Sequence, residues 1–307
     1  MANFSLASFT SASNTTSGES NAADVSLEVS DVITLILNAI TCPFTVLLNV
    51  LVIMAVKRRS RLQTNSNILL TRLAIIDAST GLLGQPTFIL WQIFLLLGVS
   101  SSVAIKNLHF DVMSTLLVAS CFHLMMVTFE RLIAMKFTMY YLIIETDSTI
   151  NLAVLLVWIM SLIIGFFRMI KNLQIFFFLS SIVISSCIFS VTFSYMILYH
   201  ETSRHKKKMK AQQIRLEEIE TFTRENKALK TTVFVVGAVF ICFLPVCFCF
   251  MLLTPGIYDV CIINEALMQT FAMINSFVNP LIYCWRQKEM RKFVFRIRTH
   301  AVHSVSE

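Results

Sequence analysis

Residues 31–61 read DVITLILNAITCPFTVLLNVLVIMAVKRRSR, and this stretch decides the class of fold. Its mostly apolar part, residues 32–56, exceeds the roughly 20 residues that a helix needs to cross a lipid bilayer. The first basic residues of the chain, from Lys57 to Arg61, follow directly. An apolar helix that ends in a basic cluster is typical of a transmembrane helix whose last turn lies at the cytoplasmic surface.

The rest of the chain has the same apolar character. Hydrophobic residues make up 56% of the 307 residues and charged residues only 14%, whereas a soluble domain carries about 25% charged residues. We therefore predict an all-α membrane protein that forms a bundle of seven transmembrane helices. The seven apolar segments are 32–56, 67–97, 103–135, 150–170, 173–199, 230–253 and 262–285. The fourth and fifth segments are separated only around residues 168–173, so their connection must be very short.

Basic residues are concentrated on one side of the predicted membrane. They follow the first segment, fill the loop at residues 200–229 and follow the seventh segment, whereas the other side has little beyond Lys106, Arg168 and Lys171. Since cytoplasmic loops carry the excess of Lys and Arg, we predict an extracellular N-terminus and a multi-pass protein of the plasma membrane. The net charge of +7 belongs to this membrane face, so we expect a lipid bilayer and no nucleic acid as its partner.

Polar composition marks the start of the chain. Residues 1–30 are rich in Ser, Thr, Asn and Ala and are predicted to form a disordered extracellular tail. Asn3 and Asn14 begin Asn-Xaa-Ser/Thr triplets, so both are candidate glycosylation sites. The seven-helix domain then occupies residues 31–286.

A short amphipathic eighth helix is predicted after the seventh segment, at residues 287–299. Met290, Phe293 and Ile297 form one apolar stripe there, with Lys and Arg opposite. We expect this helix to lie on the cytoplasmic membrane surface, with a cytoplasmic tail at residues 300–307.

Seven of the eight cysteines fall within or at the edge of an apolar segment, the exception being Cys261. We expect these seven to behave as small apolar side chains. Cys247 and Cys249 should not form a metal site, because residues two apart lie about 200° from each other around a helix.

Several polar side chains fall inside the predicted spans, where they are costly and therefore candidates for function. Asp77 lies mid-way along the second segment and Ser120 along the third, while Asn275, Asn279 and Tyr283 are spaced by four on one face of the seventh. A carboxylate that faces hydroxyl and amide oxygens can bind a small cation such as sodium, which prefers hard oxygen ligands. Alternatively, these groups only hydrogen-bond one helix to another.

Charged residues at the inner ends of two segments form a second candidate site. Arg131 ends the third segment after Glu130, and Glu225 lies 18 residues before Phe243 on one face of the sixth. A pair between Arg131 and Glu225 would join these two helices; alternatively, both are charges that reach toward the membrane surface. Pro245 removes a backbone hydrogen bond inside the sixth segment and is expected to kink it.

No catalytic constellation accompanies these polar groups. An intramembrane aspartyl protease needs two facing carboxylates, and a metalloprotease needs His-Glu-Xaa-Xaa-His; neither pattern occurs in the sequence. We therefore predict that the protein is not an enzyme.

Short motifs recur in a fixed order, each on its own segment. They are Leu73-Ala74-Ile75-Ile76-Asp77, Glu130-Arg131-Leu132, Trp158, Tyr195, Cys242-Phe243-Leu244-Pro245 and Asn279-Pro280-Leu281-Ile282-Tyr283. With these motifs the chain resembles the rhodopsin-like G-protein-coupled receptors over about residues 32–299. The resemblance implies a membrane receptor that transduces the binding of an extracellular small ligand into activation of a heterotrimeric G protein, with arrestin as a further partner.

The resemblance also implies roles for individual residues. It implies an allosteric sodium ion, and no other metal or cofactor, at Asp77, Ser120, Asn275, Ser276 and Asn279. It implies G-protein coupling and an inactive-state ion pair at Glu130, Arg131, Tyr195, Glu225 and Tyr283. The implied switch residues are Pro245 and Pro280. By family position, the ligand pocket would include Met113, Leu117, Phe243, Val246, Phe250, Glu265, Gln269 and Met273.

The pocket positions are mostly apolar, which favours a lipid-like or mixed ligand, while a nucleoside, an amine or a short peptide stays open. Lys106 stands where the family usually has the third-helix cysteine of an extracellular disulfide, and Met113 stands where amine receptors have an aspartate. Together with the short connection at 168–173, this pattern most resembles the branch of melanocortin, lysophospholipid, cannabinoid and adenosine receptors, with some segments similar to amine receptors. The alternative is a seven-helix transporter or ion channel without G-protein coupling. Such a protein would need ionisable groups along a pore, and only Asp77 lies deep.

Overall fold

The structure, a computed structural model, is helical throughout the part of the chain that it describes. That part comprises residues 16–136, 147–211, 234, 237–249, 264–286 and 289–293. Each of the seven predicted segments is helical within these residues. The helices are α1 (Thr16–Arg58), α2 (Asn65–Ser79), α3 (Gln85–Leu96), α4 (Ser102–Lys136), α5 (Asp147–Met169), α6 (Leu173–Ala211), α7 (Gly237–Cys249) and α8 (Glu265–Arg286).

Five stretches of these helices are long and apolar enough to cross a membrane. They are Val29–Arg58, Asn67–Leu96, Ser102–Glu130, Ser148–Met169 and Leu173–Glu201. On α1, an apolar stripe runs along the surface of the bundle through Ile33, Ile36, Ile40, Phe44 and Leu47, each about half exposed. A stripe of this size would be costly in water, whereas lipid tails solvate it, so this face of α1 lies against the bilayer.

The first helix begins earlier than the sequence predicts. The structure begins α1 at Thr16, whereas the sequence predicts a disordered tail over residues 1–30. Ala22 and Ala23, which are strong helix formers, favour a helix in this part of the sequence. Asn3 and Asn14, the candidate glycosylation sites, lie outside the described residues.

The second span is one helix interrupted by a wider turn. A π-helical turn at Thr80–Gly84 joins α2 to α3. Pro86 explains the interruption, because it has no N–H to donate and its ring clashes with the carbonyl four residues earlier. Gly84 lies within this turn, and Met113 of α4 fills the space that a side chain on Gly84 would take.

The helices pack around two main apolar clusters. The larger one joins α4, α6 and α7 and includes Val118, Ile184 and Phe243. The second joins α1, α2 and α8, and it also receives Met290 and Phe293 from the short helical stretch at residues 289–293. These two residues belong to the stripe predicted for residues 287–299; Ile297, the third, lies outside the described residues.

Only three residues, Ile170 to Asn172, connect α5 to α6. Lys171 has a left-handed backbone with a φ of 58°, which lets the chain reverse after the last turn of α5. The N–H of Asn172 donates to the carbonyl of Phe167 at 3.0 Å, and that of Lys171 donates to the carbonyl of Arg168 at 3.0 Å. The side chain of Asn172 then accepts from the N–H of Ile175 at 3.3 Å and caps α6. Here the end of one helix is the start of the next, as expected from the sequence.

The backbone of Lys171 predicts how this turn responds to substitution. Glycine adopts a left-handed conformation without the cost of about 1 kcal/mol that other residues bear. Lys171→Gly should therefore raise the melting temperature of the detergent-solubilised protein, whereas the β-branched Lys171→Val should lower it. Melting curves of the three proteins give the test, and an unchanged or reversed order would contradict the role of this turn.

Candidate functional site

A buried hydrogen bond between α2 and α8 forms the centre of the candidate site. The amide Nδ2 of Asn279 donates to Oδ2 of Asp77 at 3.0 Å, and both side chains are fully buried. On α8, the spacing of four places Asn275 and Tyr283 on the same side as Asn279, and all three are buried. A carboxylate is therefore held deep inside a membrane bundle and accepts a hydrogen bond from another helix.

The first helix joins this centre through Asn49. Its amide donates to the backbone carbonyl of Ser276 on α8 at 3.0 Å and to that of Thr45 at 2.8 Å. Ser276 itself is buried one turn before Pro280, which lies inside α8. The polar contacts thus connect α1, α2 and α8 at the same depth.

Several buried polar atoms on α1, α2, α4 and α8 have no hydrogen-bond partner within the protein. They are Oδ1 of Asp77, Oγ of Ser120, Nδ2 and Oδ1 of Asn275, Oδ1 of Asn279, Oδ1 of Asn49 and the hydroxyl of Tyr283. A buried polar atom without a partner costs about 1–3 kcal/mol, so a set of them indicates a place for water or an ion. Carboxylate, hydroxyl and amide oxygens are also the ligands that a hard cation prefers. The residues present therefore fit the sodium ion that the sequence suggested.

The predicted coupling residues within the described helices lie near the C-terminal end of α4 and on α6 and α8. Glu130 is buried near the end of α4, and Arg131 follows it in the same helix. Tyr195 of α6 packs against the larger apolar cluster. The side chain of Arg131 and all of Glu225 lie outside what the structure describes, so their ion pair stays a prediction.

The residues predicted to line a ligand pocket fall into two groups. Leu117, Phe243 and Val246 are buried in the cluster of α4, α6 and α7. Met113 and Met273 instead pack in a cluster between α3, α4 and α8. Gln269 is buried on α8, Glu265 is exposed at the start of that helix, Pro245 lies within α7, and Phe250 is outside the described residues.

Aromatic residues that the sequence did not single out surround the second group. Phe88 and Trp91 of α3 meet His109 and Phe110 of α4, with ring centroids 5.5 to 5.8 Å apart. Their only signal in the sequence was that aromatic residues recur near the ends of two segments. The spacing of residues along the second segment does not predict which face of α3 meets α4, because the π-helical turn changes the rotation of α3 relative to α2.

Two ion pairs lie beside these rings. Lys106 of α4 bonds Glu265 of α8, with Nζ and Oε2 2.5 Å apart, and Arg168 of α5 approaches Asp111 of α4, with Nε and Oδ1 3.5 Å apart. The sequence placed Lys106 and Arg168 on this face, but it did not predict their partners.

The cysteines require one correction. Cys249, expected to act as a small apolar side chain, is disulfide-bonded. The other six cysteines in the described part of the chain have free thiols, so the partner of Cys249 lies outside that part. Cys187 fits the expectation, since it is buried and its thiol points at the backbone carbonyl of Cys121.

A comparison with families of known proteins matches most of this architecture. The model of the seven-transmembrane receptors of the rhodopsin family matches residues 48–174 and 168–283. These two matches overlap at the short connection between α5 and α6 and together span more than half of the chain. They include α2 to α7 and most of α8, and with them Asp77 and Asn279.

The bond between Asp77 and Asn279 predicts a difference between two neighbouring amides of α8. Asn279→Ala removes a hydrogen bond to a buried carboxylate and should lower the free energy of unfolding by about 2 kcal/mol. Asn275→Ala is the matched control, because this amide is equally buried but donates no bond to the protein. Thermal melting of the two variants would measure the difference. If Asn275→Ala cost as much stability as Asn279→Ala, the bond would not be the cause.

Proposed function

Since the chain belongs to the rhodopsin family of seven-transmembrane receptors, we propose that it transduces the binding of an extracellular small ligand into activation of a heterotrimeric G protein. Membership of this family makes it a membrane receptor in signal transduction. We add three parts to this: the G protein as the partner, the class of ligand, and the orientation of the chain in the membrane.

The observation that carries the proposal is the polar centre at Asp77. A receptor needs a part of its structure that is stable in two arrangements, and that ligand and G protein both bias. The carboxylate of Asp77 has one satisfied oxygen and one without a partner, and the amide and hydroxyl groups nearby can exchange partners with it. Such a centre connects α2 to α8 without fixing a single set of hydrogen bonds.

The signal would leave the bundle at the end that contains Glu130. In the inactive protein, an ion pair between Arg131 and Glu225 holds together the inner ends of the third and sixth transmembrane segments, which contain α4 and α7. Ligand binding shifts the population toward a form in which the sixth transmembrane segment, kinked at Pro245 of α7, swings outward and opens a crevice for the G protein. Tyr195 and Tyr283 then line that crevice, Pro280 gives α8 a second point of bending, and arrestin binds the same surface.

The basic residues support an orientation with the N-terminus outside the cell. Lys57 and Arg58 end α1 on the face where the G protein would bind, and the other basic clusters of the sequence follow the fifth and seventh segments. The positive-inside rule places this face in the cytoplasm of a plasma-membrane protein. Asn3 and Asn14 would then be exposed to glycosylation.

The proposed ligand site is the opposite end of the bundle, where the predicted pocket residues lie. Leu117, Phe243 and Val246 are apolar and buried, while Gln269 and Glu265 carry polar groups. We infer a ligand with an apolar body and at least one polar group, such as a lipid-like molecule, nucleoside, amine or short peptide. This range agrees with the resemblance to the branch of melanocortin, lysophospholipid, cannabinoid and adenosine receptors.

A transporter or ion channel is the second candidate. It would need several ionisable groups along a path through the membrane, whereas Asp77 is the acidic side chain that is fully buried at mid-depth in the described residues. Transport would show as ligand uptake or current in cells without functional G proteins, which separates it from receptor signalling.

Nucleotide exchange tests the coupling. Purified protein in lipid discs should accelerate exchange on at least one class of G protein when lipids, nucleosides, amines and peptides are screened. Arg131→Ala should reduce that exchange at least about tenfold, since it removes the charge proposed to engage the G protein. Arg58→Ala, which removes a basic residue from the same face, should change it much less. Equal losses in both variants would mean that general surface charge, and not Arg131, explains the effect.

Sodium provides a second test, at Asp77. A sodium ion held by the unpartnered oxygens should stabilise the protein without ligand, so sodium chloride should raise the melting temperature more than an equal concentration of choline chloride. Asp77→Asn keeps the shape of the side chain but removes its charge, and it should abolish the difference. Equal melting curves of the unsubstituted protein in both salts would rule out the ion at this site.

A further inference from the structure

The ammonium group of Lys106 lies in a cage of rings and a carboxylate. Its Nζ atom is 5.4 Å from the ring centre of Trp91 and 5.9 Å from that of Phe110, while Oε2 of Glu265 is 2.5 Å away. Aromatic faces attract cations through their negative potential, and a carboxylate adds a charge-assisted hydrogen bond. Three helices, α3, α4 and α8, contribute one cage residue each. We refer to Trp91, Phe110 and Glu265 as the ammonium cage.

His109 packs against both rings of the cage and holds them in place. His109 stacks on Trp91 with centroids 5.8 Å apart, and it contacts Phe110 and Phe88 edge-on at 5.5 Å. Its Nδ1 lies 3.2 Å from the carbonyl oxygen of Gly84. The hydroxyl of Thr87 already donates to backbone carbonyls, so Nδ1 carries the proton and donates to Gly84. His109 is thereby fixed against the π-helical turn.

Of the two acidic side chains beside these rings, Asp111 pairs with Arg168, so Glu265 is the carboxylate that contacts Lys106. The guanidinium carbon of Arg168 lies 5.1 Å from the ring centre of Phe110. Glu265 is more than half exposed and Lys106 about a third exposed, so both side chains can move without unpacking the bundle. Lysine has a flexible four-carbon stem, and its ammonium can return to water when another cation takes its place.

From this geometry we propose that Lys106 is a built-in substitute for a ligand, and that the receptor's own ligand carries an organic ammonium group that displaces Lys106 from the ammonium cage. The proposal rests on the proposed receptor function for its meaning, but the cage can be tested without any signalling. It places ammonium recognition between α3, α4 and α8, on Glu265, although Met113 occupies the position where amine receptors have their aspartate. The competing explanation is that the pair of Lys106 and Glu265 only braces α4 against α8.

Chemical rescue separates the two explanations. Lys106→Ala removes four heavy atoms, and n-propylammonium has the same four atoms. If the cage recognises an ammonium group, n-propylammonium chloride should restore most of the melting temperature lost by Lys106→Ala. The effect should saturate on the order of millimolar, as expected for so small a ligand. Neutral 1-propanol, sodium propionate and sodium chloride at the same concentrations should not do so.

Further variants make the result specific. Lys106→Ala combined with Glu265→Gln should lose the rescue, because the cage then lacks its carboxylate. Lys171→Asn removes a basic residue from the same face and tolerates the left-handed backbone, so this control should not respond to n-propylammonium. The unsubstituted protein should need about tenfold more n-propylammonium for the same shift, since Lys106 occupies the cage. If the alanine variant does not fold, Lys106→Met replaces it; since its apolar stem fills the space of the propyl group, methylammonium chloride is then the probe.

Each outcome decides the question. Rescue by n-propylammonium that depends on Glu265 supports the cage, and it does so even if no nucleotide exchange is found, in which case only the receptor function fails. An absence of rescue in a folded Lys106 variant overturns the cage and leaves a static brace. Rescue by propionate instead of n-propylammonium would also overturn it, because the site would then recognise an anion.

Discussion

Lipid offers no hydrogen bonds, and the rest of this structure depends on that constraint. Every backbone N–H and carbonyl within the bilayer must find its partner inside the protein, and an α-helix achieves this within one segment. Apolar side chains can face outward at no cost, as the exposed stripe from Ile33 to Leu47 does. Polar side chains must meet one another at the centre of the bundle, so the few that occur identify the surfaces at which helices join.

The polar contacts of this protein are arranged in depth. In the N-terminal half of the stretch Val29–Arg58 of α1, Asn38 donates to Thr270 of α8 at 2.9 Å, and Gln85 of α3 donates to Thr41 at 2.9 Å. Deeper in the membrane, Asn49 and the pair of Asp77 and Asn279 connect the same helices. The upper contacts are satisfied in larger part, whereas the deeper ones retain atoms without partners. Stability and the capacity for rearrangement are therefore located at different levels of one interface.

The opposite side of the bundle is held by other means. Helices α4, α6 and α7 meet through apolar side chains, and α5 reverses directly into α6 at Lys171. Where related receptors have a cysteine on the third helix, Lys106 forms an ion pair with a helix far along the chain. A covalent link would be permanent, whereas an ion pair at a partly exposed position can open and close. This exchange gives the face proposed to meet the ligand a contact that a cation can compete for.

The sequence alone predicted seven transmembrane spans, because each of the seven apolar segments is long enough to cross the membrane as a helix. It also determined that Asn275, Asn279 and Tyr283 share a face, and that α5 and α6 must nearly touch, since both follow from spacing along a single helix or a short link. What the sequence did not contain was which faces meet across the bundle. Pro86 changes the rotation of the second span through a π-helical turn, and only the folded chain reveals that Gly84 then accepts Met113.

Pairs of distant residues also depended on the tertiary structure. Lys106 and Glu265, or Asp77 and Asn279, are separated by more than 150 residues, and no local pattern states their distance. The sequence did not indicate that α1 begins at Thr16, because a polar composition says little about local helix formation. The apolar stretch before Lys57 thus identified a membrane protein, and the six later apolar segments gave the number of spans. Packing decided the polar partners, since hydrogen bonds and ion pairs form between neighbours in space and not in sequence.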